Sequence, residues 1–169
     1  YASPGNGSTP HLCMEMFKRQ AGIDITHVAY KGGSPATIDL LAGQVQVFCP
    51  GLPPVLPHIK SGKLRALTIT MPRRTQYLPE VPTAAEQGHP QLDVNSWVGL
   101  LAPAKTPTAI VERLHAAIAR IMATPEMKLQ VINNGADPMT LGPAEFSRFL
   151  HSESAKWAQV AKAAQLRIE

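Results

Sequence analysis

The chain has 169 residues, of which 44% are hydrophobic and 17% charged, and its formal net charge is +4. This length and apolar fraction suffice for one α/β domain, or for one domain and part of another. The basic residues form no long run and have no interleaved aromatic residues, which excludes a nucleic-acid-binding signature. No stretch approaches the roughly 20 apolar residues that cross a bilayer. The chain starts at Tyr1 without a signal peptide, so we expect its upstream part to be absent.

Predicted strands alternate with predicted helices over the first two-thirds of the chain. Strand patterns lie at residues 25–30, 45–49, 64–70 and 94–102. Helical patterns lie at residues 8–21, 34–42 and 53–61. Alternation at this spacing predicts βαβ units, and therefore an α/β fold with a mostly parallel sheet flanked by helices.

Residues typical of helix ends support these predictions. A hydroxyl residue before proline marks four expected helix starts, at Thr9-Pro10, Ser34-Pro35, Thr106-Pro107 and Thr124-Pro125. Thr83 and Glu86 have the spacing of a capping box. Glycines stand where helices should stop, at Gly22, Gly43, Gly62 and Gly88.

The last third of the chain predicts two amphipathic helices after a proline-rich passage at residues 101–107. The first apolar stripe consists of Ile110, Val111, Leu114, Ala117, Ile118, Ile121 and Met122. The second consists of Phe146, Phe149, Leu150, Trp157, Val160 and Ala161. An apolar stripe at helical spacing needs a surface to cover, so both helices should pack against another part of the protein.

The first candidate binding loop is rich in glycine and runs directly into a predicted helix. The loop spans residues 3–9, including Pro4, and its candidate ligand contacts are Gly5, Asn6, Gly7, Ser8 and Thr9. Glycine lets the backbone approach a ligand, and the unpaired first-turn amides of a helix attract anions. The loop lacks the lysine of a nucleotide phosphate loop, so nucleotides are not expected. A tight turn with an ordinary cap is the alternative interpretation.

Two further loops follow the next predicted strands. The second candidate loop contains Tyr30, Lys31, Gly32, Gly33, Ser34 and Ala36, and the third contains Cys49 and Gly51. The carboxyl ends of neighbouring parallel strands face one crevice, where open α/β sheets bind ligands. The sequence therefore predicts one anion site formed by all three loops. As alternatives, Lys31 is a solvated surface residue and Tyr30 packs in the core.

Residues with other chemistry give weaker patterns. Cys13 and Cys49 fit no zinc-binding spacing, so we expect buried free thiols, with a disulfide as the alternative. His11 and Glu15 share a helix face without a third metal ligand, and His27 is expected to be structural. No nucleophile or metalloprotease motif is present. We therefore expect no catalytic residues, metal or cofactor, and no enzymatic activity.

Several motifs carry a resemblance to a known family. They are YASPGNGSTPHL at residues 1–12, HVAYKGG at 27–33, DLLAGQV at 39–45, PHIKSGKLRAL at 57–67, LPEVPT at 78–83 and WVGLLAP at 97–103. In this order and spacing, the chain resembles the substrate-binding receptors of tripartite tricarboxylate transporters, also called Bug-type receptors. The resemblance covers essentially the whole chain. Gln46 stands where the family commonly has Asp, a change that bears on ligand identity rather than on fold.

The resemblance implies a periplasmic binding protein of the type II, Venus-flytrap class. Such receptors bind a small carboxylate (a dicarboxylate, tricarboxylate or amino acid) and deliver it to membrane permease subunits. Family members are about twice as long, so residues 1–97 would form the second domain. Residues 98–169 would be the crossover strand and the C-terminal helices that belong with the first domain. The isolated chain would then self-associate through its uncovered apolar faces, or be recovered with another chain that contains the missing half.

Two other functions remain compatible with the same sequence. Flytrap domains also serve as sensory or regulatory ligand-binding domains, because a fold does not fix a function. A small α/β hydrolase or transferase is the weaker alternative, since no catalytic motif supports it.

Overall fold

A computed structural model describes residues 1–163; residues 164–169, the end of the region predicted to join the first domain, lie outside it. The chain divides into two compact units, one formed mainly by Tyr1–Ser96 and the other by Trp97–Gln159. Each unit is described by itself.

A short parallel sheet is the centre of the first unit. Strand β1 (Ala2–Ser3) pairs in parallel with strand β2 (Val28–Ala29). On its other side, Ala2 forms a parallel bridge with Phe48, and the Ala2 amide donates to the carbonyl of Val47 at 2.8 Å. Three chain segments thus run in the same direction with β1 in the middle, as the predicted βαβ units require.

Three helices follow these segments. They are α1 (Thr9–Ala21), α2 (Gly33–Leu41) and α3 (Leu56–Lys60). The first two confirm the predicted helices to within a residue at each end. The third is shorter than the predicted 53–61, because Pro53 and Pro54 lack an amide proton and disfavour helical backbone in the residue before them.

Several of the predicted helix-end signals are confirmed. Gly22 ends α1 in the left-handed conformation with φ 63°. The Thr124 hydroxyl accepts a hydrogen bond from the Met127 amide at 3.3 Å. Thr83 and Glu86 form the reciprocal capping box: each amide donates to the other's side chain, at 2.7 and 3.1 Å. It stabilises a turn rather than an α-helix.

Three predicted N-caps are wrong. The residues in the cap positions are Ser8, Gly32 and Pro107, in place of the predicted Thr9, Ser34 and Thr106. Thr9 and Ser34 lie inside the first turn of their helices, because the helices begin earlier than the hydroxyl–proline pairs indicate.

Among the described residues, two small hydrophobic core clusters help to stabilise the first unit. Ala2, Ala36 and Val45 are buried together beside the sheet. The second core contains Leu56, Ile69, Leu78 and Val81. Burying these side chains supplies the main driving force for folding.

Regular strand structure is less extensive than the sequence predicts. The predicted strand at 45–49 has one bridge at Phe48, and the one at 64–70 has one bridge, between Ile69 and Thr83. Residues 94–102 form no strand in the described part of the chain. A run of apolar, β-branched residues is typical of any buried segment as well as of a strand. A strand also needs a neighbouring segment that pairs with its N–H and C=O groups. Val98 is fully exposed instead.

The second unit is helical. It contains α4 (Thr108–Ala123), α5 (Pro125–Asn133) and most of α6 (Pro143–Ala163), and α4 packs against α5. Helix α5 was predicted only by its start signal. None of the described helices is long and apolar enough to span a membrane.

Aromatic side chains hold the start of this unit against α6. The Trp97 ring meets the rings of Phe146 and Phe149 edge-on, with centroids 5.7 and 5.3 Å away. A Cβ atom on Gly99 would overlap the Phe146 ring, so a larger residue at this position would have to displace that ring. Edge-to-face pairs of this kind add stability beyond the area they bury.

The apolar stripe of α4 is only partly covered by the described residues. Ile110, Leu114 and Ile121 are each about half exposed, and α4 has no buried residue. The predicted amphipathic helix is therefore present, and its apolar face is available for another surface.

Candidate functional site

The three predicted binding loops follow three parallel segments at one edge of the sheet. Pro4 comes directly after β1, Tyr30 after β2, and Cys49 after the bridge at Phe48. The amide of Gly32 donates to the Pro4 carbonyl at 3.0 Å, which ties the second loop to the first. The arrangement follows from parallel pairing, because parallel segments end at the same edge.

A pocket of about 570 Å³ opens at this edge. It is lined by Pro4, Pro10, Gly33, Ser34, Thr37, Ile38, Leu41, Phe48, Pro50, Gly51, Pro54 and His58. All three loops therefore contribute to one pocket, through Pro4, through Gly33 and Ser34, and through Pro50 and Gly51. Its volume is in the range of small-molecule sites, and its walls are mostly apolar with a few polar groups.

One face of α2 forms a wall of this pocket. Ser34, Thr37, Ile38 and Leu41 recur at the i, i+3, i+4 and i+7 spacing that places side chains on one side of a helix. Ile38 is 63% exposed although it is a large aliphatic residue. An exposed apolar side chain inside a pocket is typical of a binding surface.

The first turn of α2 lines the pocket with Gly33 and Ser34 and contains hydrogen-bond donors. Gly33 and Ser34 occupy the first two helical positions, where amide protons have no partner within the helix. Pro35, the next residue, has no amide proton to offer. The donors of this turn are therefore the amides of Gly33 and Ser34 and the Ser34 hydroxyl. Gly32 precedes them with φ 112°, a conformation that favours glycine. Together these donors fit an anionic oxygen better than a cation.

Several predicted donors of the first loop are used inside the protein. The Ser8 hydroxyl donates to the Gly5 carbonyl at 2.6 Å. The Gly7 amide donates to Nδ1 of His11 at 3.0 Å, and the Gly5 amide donates to Ser3 Oγ at 3.2 Å. These bonds shape the loop. Contact of Gly5, Asn6, Gly7, Ser8 and Thr9 with a ligand stays a prediction, since the residue of this loop that lines the pocket is Pro4.

Four other predicted site residues are not among the residues that line the pocket. The Tyr30 hydroxyl donates to Asp39 Oδ2 at 2.7 Å, and Tyr30 packs against the first core. Ala36 is fully buried in that core, whereas Lys31 is exposed. Cys49 contacts Cys13. Of the predicted residues, the pocket is lined by Gly33, Ser34 and Gly51.

The sequence interpretation missed most of the apolar lining. Thr37, Ile38 and Leu41 could have been found from their helical spacing with Ser34. His58 could not, because its place in the pocket depends on where α3 lies after two prolines. Among the described residues, no group of three His, Cys, Asp or Glu side chains has the arrangement of a metal site.

A stack of aromatic rings lies beside the first loop. The His11 and His27 rings are 4.1 Å apart and 10° from parallel, and the Tyr1 ring stacks on His27 at 4.8 Å. His27 Nε2 lies 2.6 Å from Ser3 Oγ, and His11 Nδ1 accepts from the Gly7 amide. The predicted structural role of His27 agrees with this contact, and the stack links α1, β1 and the first loop.

Burial of the stack favours neutral imidazoles. Burial lowers the pKa of His11, although the Glu15 carboxylate acts in the opposite direction. Burial, followed by the nearby His11, lowers the pKa of His27. Burial alone would raise the pKa of Glu15, but hydrogen bonds from Tyr1 and Lys18 outweigh it and the pKa falls. A neutral His11 is also what the bond from Gly7 requires, because a protonated Nδ1 cannot accept.

We expect the first unit to lose stability as the pH falls below about 6.5, the ordinary pKa of histidine. In that window the unfolded chain binds protons at His11 and His27 that the folded chain does not. The free energy of unfolding therefore decreases with falling pH. Urea unfolding between pH 7.5 and 5 measures the slope. The double variant His11→Asn with His27→Gln should reduce the slope of stability against pH. The control His151→Gln, on the exposed face of α6, should leave the slope unchanged. Equal slopes in the unmodified protein, the double variant and the control would contradict the assignment.

A pocket at the carboxyl edge of a parallel sheet, with mostly apolar walls and a few hydrogen-bond donors, is typical of α/β proteins that bind small molecules. The model of the tripartite tricarboxylate transporter family receptors matches residues 1–166. The chain belongs to this family, which confirms the resemblance of its sequence motifs.

Two curated relatives illustrate the match. Protein BugT of Bordetella pertussis is 35% identical over 156 residues, which cover 92% of this chain and 48% of BugT. A UPF0065 protein from the clcB-clcD intergenic region of Pseudomonas knackmussii is 32% identical, and the match covers 92% of this chain and 93% of that protein. The chain thus spans about half the length of BugT and nearly all of the shorter relative.

Solved structures share the fold. An R. palustris protein with adipate has a TM-score of 0.92 at 36% identity, covering 98% of this chain and 56% of that one. MatC from Rhodopseudomonas palustris with bound malate has a TM-score of 0.88 at 31% identity over 94% of this chain and 55% of its own. The periplasmic binding protein BugD has a TM-score of 0.91 at 30% identity, and the match covers 99% of this chain and 57% of BugD. The predicted α/β fold of the periplasmic binding protein class is confirmed.

Proposed function

We propose that this protein is a periplasmic receptor that binds a small carboxylate and delivers it to the membrane permease of a tripartite tricarboxylate transporter, without catalysing a reaction. The observation that carries the proposal is the pocket to which all three loops contribute. The first turn of α2 belongs to the lining and offers the amides of Gly33 and Ser34 and the Ser34 hydroxyl as donors.

The lining favours a short aliphatic chain that ends in a carboxylate. A carboxylate accepts the donors of the α2 first turn, and the partial positive charge of the helix terminus stabilises its negative charge. Methylene groups would contact Ile38, Leu41 and Phe48. The ligands of two structural neighbours, adipate and malate, belong to this chemical class.

We further propose that residues 1–97 form the second domain of the receptor and that residues 98–169 belong with its first domain. The half-exposed stripe of α4 supports this assignment, because a helix face with Ile110, Leu114 and Ile121 needs a covering surface. Closure of the two domains around the ligand would then produce the form that the permease recognises. A chain without the first domain would self-associate through the same face.

Titration calorimetry of the full-length receptor tests the proposal. We expect saturable binding of adipate or malate and no binding of the corresponding diamide, because the diamide cannot supply a negative charge to the donors of α2. Absence of binding across a panel of dicarboxylates, tricarboxylates and amino acids would contradict the proposal. Turnover of any ligand that binds would show instead that the protein is an enzyme.

A further inference from the structure

Cys13 and Cys49 are the two cysteines of the chain, and they meet inside the first unit. Their sulfur atoms lie 2.8 Å apart although 36 positions separate them in the sequence. We propose that Cys13 and Cys49 form a disulfide bond that joins α1 to the third loop of the pocket. Both thiols are free in the structure, and a shift of less than about 1 Å would bring the sulfurs to the bonding distance of about 2.05 Å.

Two separate features of the fold bring the two cysteines together. Cys13 lies on the buried face of α1, next to the buried Leu12 and Met14. Cys49 directly follows Phe48, which bridges to the central strand β1. Since α1 packs on β1, the inner face of the helix and the end of the 47–48 segment meet at the same place. The sulfur contact is thus a consequence of the parallel order of the sheet.

The bond can form by exchange with an external disulfide, such as oxidised glutathione or the disulfide of an oxidoreductase. Cys49 is partly exposed and Cys13 is buried, so the external disulfide reaches Cys49 first. The hydrogen bond from Cys13 lowers the pKa of Cys49, which favours the thiolate that attacks. The same hydrogen bond, together with burial, raises the pKa of Cys13.

The thiol–disulfide exchange takes place in two steps. The Cys49 thiolate attacks one sulfur of the external disulfide, forms a mixed disulfide and expels one external thiolate. Cys13 then loses its proton and attacks Cys49 Sγ, which expels the second external thiolate. Cys13 and Cys49 together lose two electrons and two protons, and the external disulfide gains both to become two thiols.

The bond would restrain the third loop. Pro50 and Gly51 line the pocket directly after Cys49, so a covalent link to α1 would fix this side of the pocket relative to the helix that follows the first loop. The bond would also close a long loop, which is the situation in which a disulfide most reduces the freedom of the unfolded chain.

Mass spectrometry of the full chain tests the proposal directly. The protein is equilibrated with oxidised and reduced glutathione, quenched in acid, unfolded and treated with iodoacetamide. We expect no alkylation of Cys13 or Cys49, alkylation of both after prior reduction, and a linked peptide pair in a non-reducing digest. Alkylation of both cysteines without prior reduction would overturn the proposal.

Thermal denaturation supplies a second measurement. We expect a reductant to lower the melting temperature of the oxidised protein by roughly 5–15 °C. The matched control is the double variant Cys13→Ser with Cys49→Ser, whose melting temperature should not respond to the reductant. An equal response in the control, or no response in the oxidised protein, would overturn the stabilising link. Because the alkylation experiment uses the unmodified chain, it remains decisive even if the double variant does not fold.

Discussion

Replacing Ser34 with aspartate should weaken carboxylate binding by about 10–100-fold, since a second negative charge a few ångströms from the ligand repels it through a partly solvated medium. The same substitution should leave the fold intact or more stable. Ser34 is in the first turn of α2, where an acidic side chain interacts favourably with the helix dipole. Binding and stability should therefore change in opposite directions.

Ser34→Asn is the matched control. Asparagine has the shape of aspartate without its charge, so the difference in affinity between the two variants isolates the electrostatic effect. Calorimetry with adipate or malate gives the affinities, and thermal denaturation gives the stabilities. If the aspartate variant binds as tightly as the asparagine variant, the ligand carboxylate does not lie at the first turn of α2.

Replacing Leu56 with alanine should lower the free energy of unfolding by about 2–5 kcal/mol, the range for leucine truncation in a packed core. Leu56 is the first residue of α3 and is buried with Ile69, Leu78 and Val81. The loss combines the missing transfer free energy of the side chain with the cavity that remains. Because α3 also carries His58 into the pocket, ligand affinity should fall as well.

Leu67→Ala serves as the comparison, because Leu67 is 60% exposed. Truncation at a surface position should change the free energy of unfolding by no more than about 0.5 kcal/mol. Urea denaturation of both variants measures the difference. Similar losses in both would mean that the second core does not contribute to stability as its burial indicates.

The sequence predicted helices and loop positions better than strands. Helices α1 and α2 have local signals at both ends, such as Gly22 and the hydroxyl–proline pairs, and these report structure formed by neighbouring residues. Strands depend on partners far along the chain. The run at 94–102 has the composition of a strand, yet no ladder forms there in the described residues, because composition carries no information about which chain lies alongside.

In the candidate site, too, the sequence predicted the features that depend on neighbouring residues and missed those that depend on distant ones. Gly33, Ser34 and Gly51 were predicted from loops after strands, and parallel order is enough to bring those loops together. The donor pairing within the first loop could not be predicted, because the bond from Gly7 to His11 depends on the exact turn. Nor could the meeting of Cys13 and Cys49, which requires the packing of α1 on the sheet.

The central position of β1 also determines the order in which the first unit can fold. Ala2 pairs with Val28 on one side and with Phe48 on the other, so neither pairing is local. Loop-closure entropy must be overcome before these contacts contribute, which makes such a topology slow to fold. During synthesis, β1 cannot complete its pairing until the segment around Phe48 has left the ribosome. The helical second unit, whose α4–α5 contacts are close in sequence, has no such delay.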